Sequence, residues 1–317
     1  MKKLIALLLS LFFLLSTALP AGMAEEKPLK IVTTIFPIYD WVRQIIGEQD
    51  ADVTMLMDSG VDLHNFQPTA QDILTIAQCD LFIYVGGESD EWTEDVLKTA
   101  QNESMTAINL LDVLGDDVKE EEIVEGMEAE EEEGEEEEAE SDEHVWLSLR
   151  NAEKLVKVIA EMLAEIDAEK AEPYRVNAES YIEKLQALDA QYAETVDAAA
   201  YKTILFGDRF PFRYLADDYG LTYYAAFAGC SAETEASFQT ILFLAQKVDE
   251  LGLPAVLTIE NPKTRIAETV VNATQNKNQK ILSLNSMQGV TAQEVKDGAA
   301  YLSLMESNLI VLRDALN

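Results

Sequence analysis

Two histidines, His64 and His144, are the only ones in a chain of 317 residues. His64 sits in GVDLHNFQPTAQD, and His144 in DEHVWLSL at the end of a long acidic run. Both fall where a loop is expected to run into a helix, the kind of connection on which binding residues concentrate. A single loop histidine is ordinarily a solvated polar residue. A pair at equivalent junctions of one domain points to a shared task, and two neutral imidazoles are half of a transition-metal site, since zinc commonly takes four ligands from His, Cys, Asp and Glu. Asp208, after the strand-like KTILFG, and Glu260, at the end of AVLTIE, both stand at the carboxyl ends of expected strands. Two imidazoles and two carboxylates would neutralise a divalent cation, which a cleft poor in water requires. Either carboxylate could equally be a helix cap or a surface charge. Cys230, with Glu233 and Glu235 in GCSAETEAS, offers a further set in the same half of the chain, although a buried inert thiol is the commoner fate of a cysteine.

Other chemistries find no residues to work with. The chain has no Gly-rich phosphate loop and no nucleophile elbow. A metal-dependent hydrolase is the rival enzyme class, but there is no His-Glu-x-x-His, and no third histidine remains to act as a base. The formal net charge of -36, from 59 acidic against 23 basic residues, repels nucleic acid and anionic lipid and attracts cations.

The elements that must hold these residues alternate between strand and helix, which predicts parallel sheets covered by helices. In the first half the strands are Leu29 to Thr34, Asp52 to Met57, Asp80 to Gly86 and Met105 to Asn109, with helices at Tyr39 to Ile46, Ala70 to Gln78 and Thr93 to Gln101. Apolar residues at helical spacing run from Leu155 to Ile166 and again from Tyr181 to Val196. A helix over 169–198 would be on the order of 40 Å long and is expected to be a rigid strut. Beyond it the alternation resumes, with strands at Lys202 to Gly207, Leu221 to Phe227, Ala255 to Glu260 and Lys280 to Asn285, and helices at Ser237 to Leu251, Arg265 to Gln275 and Ala292 to Ala315. The expected fold is therefore α/β: two pseudo-repeated domains, 28–150 and 199–317, joined by one long helix, with the metal site in the cleft between them.

The ends and the insertion carry their own signals. Lys2 and Lys3, an apolar run to about Leu15 and small residues near Ala21 to Ala24 make 1–24 an export signal, too short in its apolar part to span a bilayer. No cysteine follows it, so no lipid anchor on a new N-terminal cysteine is expected. Cys79 and Cys230 are expected to be free thiols, because two cysteines in a chain this long are not a disulfide framework. Residues 116–143 contain 18 acidic residues and one Lys, and are expected to be an unstructured insertion that solubilises the chain or gathers cations.

On these residues the chain resembles the metal-binding solute-binding proteins of bacterial ABC transporters, the zinc and manganese receptors. The likeness runs through IVTTIFPIYDWVRQI, both histidine motifs, the long helix, RYLADDYGL and AVLTIENPKTRIAETV. It implies that His64 and His144 are metal ligands. It also implies a third ligand ahead of RYLADDYGL and an acidic fourth after the strand that ends at Glu260. Counting back from Tyr219 puts Arg209 at the third place, and a guanidinium cannot bind a cation. Asp208 is therefore taken as the third ligand, with Arg209 turned toward an acidic neighbour. Relatives of the zinc type often carry a His-rich insertion where this one is acidic. The implied function is capture of zinc, or alternatively manganese, by a monomer in the periplasm or at the cell surface. The ion would then pass to a membrane permease, with no bond made or broken. A metal-binding adhesin of the same fold is the remaining alternative.

Overall fold

The computed structural model describes residues 27–128, 140–231, 235–260 and 265–317. The expected export signal, residues 129–139 of the acidic insertion, and Glu233 lie outside the described residues.

Two four-stranded parallel sheets are built on the same plan. β1 (Leu29–Thr33) pairs with β2 (Ala51–Met55) and β3 (Leu81–Tyr84), and β3 pairs with β4 (Thr106–Asn109), giving the order β2-β1-β3-β4. In the second sheet β5 (Thr203–Phe210) pairs with β6 (Thr222–Ala228) and β7 (Ala255–Ile259), and β7 pairs with β8 (Lys280–Leu284), giving β6-β5-β7-β8. The inner strands are short apolar runs, LFIY in β3 and AVLTI in β7, because helices cover both faces of a parallel sheet. β6 therefore occupies in the second sheet the place of β2 in the first.

The covering helices of the first half are α1 (Phe36–Ile46), α2 (Ala70–Ala77), α3 (Trp92–Leu97) and α4 (Leu110–Leu114). α2 starts where Thr69 and Asp72 form a reciprocal cap, each side chain bonding the other's backbone N–H. α5 (Leu149–Ile166) buries one apolar stripe, including Leu155, Ile159 and Leu163, and packs along α6 (Ala171–Ala198), the expected strut. α6 is tied to both halves: Asn177 Nδ2 donates to the Ile45 carbonyl of α1 at 3.0 Å, and Tyr192 Oη donates to the Met305 carbonyl at 2.7 Å. One continuous apolar core joins residues of both sheets, among them Ile31, Phe82, Phe206 and Leu257. The second half is completed by α7 (Arg213–Tyr219), α8 (Phe238–Leu251), α9 (Arg265–Ala273), α10 (Ala292–Lys296) and α11 (Tyr301–Ala315).

Two expectations are corrected. The closing helix is not continuous from Ala292 to Ala315 but breaks between α10 and α11, where Gly298 adopts φ +102°, a conformation outside the helical region and accessible chiefly to glycine. The described flanks of the acidic insertion are also not unstructured. Asp142 N donates to Lys119 O at 2.8 Å and Glu121 N to Glu140 O at 2.7 Å, closing a small antiparallel ladder. Further on, Glu128 N donates to the Ala226 carbonyl of β6 at 3.0 Å. Self-repulsion loses here because cations of the second half meet the acids, as in the Arg213–Glu122 pair, while Val118, Val124 and Met127 pack on the core. Among the described residues no helix is long and apolar enough to cross a membrane.

Candidate metal centre

The carboxyl ends of the two sheets face a common site. After β2 the chain makes a single 3-10 turn, Leu63–Asn65, anchored by the fully buried Leu63. Asp62 caps it, accepting from His64 N at 3.1 Å. After the acidic insertion, His144 precedes a second such turn, Val145–Leu147, all three of whose residues are fully buried. Trp146 locks that turn to the second half by donating its indole N–H to the Ser286 carbonyl at 2.8 Å. Cys230 follows β6, and its backbone N–H donates to Glu121 Oε1 at 2.9 Å. Its neighbour Gly229 is closely packed: a Cβ there would stand 2.9 Å from the Phe210 carbonyl oxygen, 3.1 Å from His144 Cε1 and 3.2 Å from Nδ1.

These three loops bring His64 Nε2 and His144 Nε2 to 3.3 Å from each other. The two imidazoles and the Cys230 thiol together form a set whose ligand atoms all lie within 4.8 Å of one another, the one such group of three or more metal-ligating side chains among the described residues. Both rings are held from behind. His144 Nδ1 lies 2.9 Å from Asp142 Oδ1, which also accepts from His144 N at 2.8 Å. His64 Nδ1 lies 2.7 Å from Ser89 Oγ and 3.6 Å from Glu143 Oε2. Donation of Nδ1–H to Ser89 Oγ in one ring and to Asp142 Oδ1 in the other leaves both Nε2 lone pairs free, on atoms 3.3 Å apart.

Burial governs the electrostatics. It pushes the His64 imidazole down to about 3, helped by His144, so this ring is neutral and ready to coordinate. Burial, with Glu121, Asp142 and Glu143 close by, pushes the Cys230 thiol up. Burial alone would raise Asp62, but the Arg209 guanidinium holds it below the usual carboxylate range.

Asp208 and Glu260 are not brought into this set. The pairing of β5 with β6 shifts register between Phe206 and Arg209, an irregularity that re-aims the side chains around it. The Asp208 carboxylate is left accepting from Arg209 N at 3.0 Å and Ile259 N at 3.3 Å. Glu260 is engaged at 2.6 Å by both the backbone N–H and the hydroxyl of Ser286. Arg209 forms an ion pair with Asp62 and donates to Gln288 Oε1 at 3.2 Å. Sequence reasoning gave the outer partners Ser89, Asp142, Glu143 and Glu121 no role. The position of Asp142, two residues before His144, was the one local signal for any of them.

The chain matches the family model of ZnuA, the periplasmic zinc-uptake complex component A, over residues 31–315. It is 32% identical over 322 residues to the zinc-binding protein AdcA of Streptococcus pyogenes, an alignment covering 99% of this chain and 61% of AdcA. The chain thus spans about three fifths of the length of that relative. It is also 32% identical over 300 residues to the high-affinity zinc uptake system protein ZnuA of Bacillus subtilis, covering 93% of this chain and 90% of the relative. Among solved structures, the Zn(II)-bound ZnuA-like domain of Streptococcus pneumoniae AdcA superposes with a TM-score of 0.72 at 30% identity, over 92% of this chain and 99% of that domain. The laminin-binding adhesin Lmb of Streptococcus agalactiae, at TM-score 0.74 and 22% identity, covers 91% of this chain and 100% of its own, and is a likeness of fold alone.

Proposed function

We propose that this chain, which belongs to the ZnuA family of zinc-uptake components, is an extracytoplasmic receptor that captures a zinc ion between its two domains and passes it to the membrane permease of an ABC transporter. One observation carries the reading, the 3.3 Å separation of the two Nε2 atoms. Two nitrogens each about 2.05 Å from a tetrahedral zinc ion stand about 3.3 Å apart, so the rings are already spaced as two ligands of one ion. The neutral His64 ring and the outward Nδ1 contacts on both rings support it, because a ligating imidazole is normally oriented by an acceptor on its other nitrogen. The ion is cargo and is not transformed. A net charge of -36 favours the approach of cations and disfavours nucleic acid as a partner. The capture site is formed within one chain, so a monomer suffices.

Calorimetric titration of metal-stripped protein should give one tight equivalent of zinc, and the double variant His64→Ala/His144→Ala should lose it. Equal tight binding by the double variant would sink the proposal.

A further inference from the structure

We propose that the Cys230 sulfur is the third ligand of the captured ion, making a set of two imidazoles and one thiolate that selects zinc over manganese. This rests on the receptor reading above and goes beyond it, since it names the donor that decides between the two metals. Three independent features lead to Cys230. The first is topological: β6 takes in the second sheet the place of β2 in the first, so Cys230 and His64 are carried by corresponding loops, one from each half. The second is the close approach at Gly229, which lays the backbone before Cys230 against the His144 ring, where an added Cβ would also stand 2.9 Å from the Phe210 carbonyl. The third is the anchoring of that loop by the Glu121 carboxylate on Cys230 N.

Two rival donors of the second half, Asp208 and Glu260, are already used. Turning Asp208 toward the ion would take its acceptors away from Arg209 N and Ile259 N, and turning Glu260 would do the same to Ser286. Each uncompensated buried donor costs about 1–3 kcal/mol. Cys230 would give up only the Glu143 backbone N–H on its sulfur, and sulfur is a weak acceptor. A sulfur about 2.3 Å from zinc stands about 3.6 Å from a nitrogen ligand of the same ion, so closing from within 4.8 Å requires a movement of about 1 Å, the scale of a loop adjustment. The thiol proton leaves to solvent as the sulfur–metal bond forms, and the thiolate reduces the charge of the bound ion from two to one. Soft thiolate donors favour zinc, whereas manganese is suited by carboxylate, carbonyl and water.

Cobalt(II) is the probe, because a thiolate ligand gives it an intense near-ultraviolet charge-transfer band that imidazole and carboxylate do not. The full chain should bind one cobalt with that band. Cys230→Ser, nearly isosteric, should lose the band while still binding cobalt through the histidines, and its preference for zinc over manganese should narrow at least tenfold. Cys79→Ser should keep the band and serves as the control for folding. Tight cobalt binding without the band in the full chain, or a band that survives Cys230→Ser, overturns the assignment and leaves the receptor reading standing. Failure of the full chain to bind cobalt or zinc at all overturns both.

Discussion

Arg209, at the end of β5, forms an ion pair with Asp62, two residues before His64 in the loop that follows β2. The pair joins the two halves of the molecule, and Asp62 uses its other oxygen to cap the turn that carries His64. A residue whose charge opposes a metal ion is thus neutralised and braces the turn that carries His64. By charge alone, Arg209→Ala would leave zinc affinity level or slightly improved. With the brace on view the expected sign reverses: removing the guanidinium strands a largely buried carboxylate and loosens the His64 loop, and affinity should fall about tenfold. Asp62→Asn should do likewise. Calorimetry on the two single variants and the double should give clearly non-additive losses, since both changes break one interaction. Additive losses would mean that the two residues act separately.

Asp208 carries the opposite expectation. Its carboxylate holds two backbone N–H groups at the irregular end of β5, so Asp208→Ala should lower stability by about 1–3 kcal/mol while zinc affinity stays within about threefold of the parent. Thermal unfolding of the metal-stripped protein measures the first and calorimetric titration the second. A loss of affinity comparable to that of the histidine variants would place Asp208 on the ion.

His144 should prove the more sensitive of the two histidines to its outer partner. Asp142 Oδ1 accepts from both His144 N and Nδ1, so Asp142→Asn should weaken zinc binding by roughly 10- to 100-fold, the usual effect of removing such a partner. The measurement is a competition titration against a chelator of known affinity. No change would show that the imidazole is oriented by packing alone.

The acidic insertion separates into two roles that two deletions can distinguish. Removing residues 129–139 leaves the Lys119–Asp142 and Glu121–Glu140 ladder, and with it the Glu121 contact to Cys230 N, so tight zinc binding should persist while weak cation capture declines. Removing Asp117 to Glu140 takes Glu121 away as well, and the tight site should weaken about tenfold. Equal behaviour of the two deletions would deny the flanks any part in the site.

Much of this molecule was legible in one dimension. All eight strands stand within about three residues of their expected limits; the inner ones are legible because a strand buried on both faces is a short apolar run, as in KTILFG and DLFIYVG. The two histidines were conspicuous through rarity and placement. What could not be read was fixed by distance in space. The register shift in β5 beside Asp208 depends on how β6 pairs with it, and no residue of FGDRFPF announces it. Cys230 looks like any buried thiol until the loop after β6 is folded against His144. The flanks of the acidic run were misjudged because composition counts the acids and not Arg213 and Lys247, distant in sequence, that meet Glu122 and Glu125.

The pH dependence of stability follows from His64. Its folded-state pKa, about 3, lies far below the ordinary value of 6.5, because burial and the neighbouring His144 disfavour the imidazolium. Above pH about 6.5 the ring is neutral whether the chain is folded or not, and it contributes no slope. As pH falls below that value the unfolded chain takes up a proton that the folded chain refuses, so stability declines, by up to about 1.4 kcal/mol per pH unit from this one group, until the folded ring itself titrates near pH 3. Metal-stripped His64→Gln should therefore lose less stability than the parent between pH 6 and pH 4, by roughly one proton in the slope. Urea unfolding at a series of pH values with a chelator present measures this difference directly. Parallel pH profiles for the two proteins would mean that His64 is protonated in the folded state at mild acidity, and that the neutral, metal-ready ring described above does not exist under those conditions.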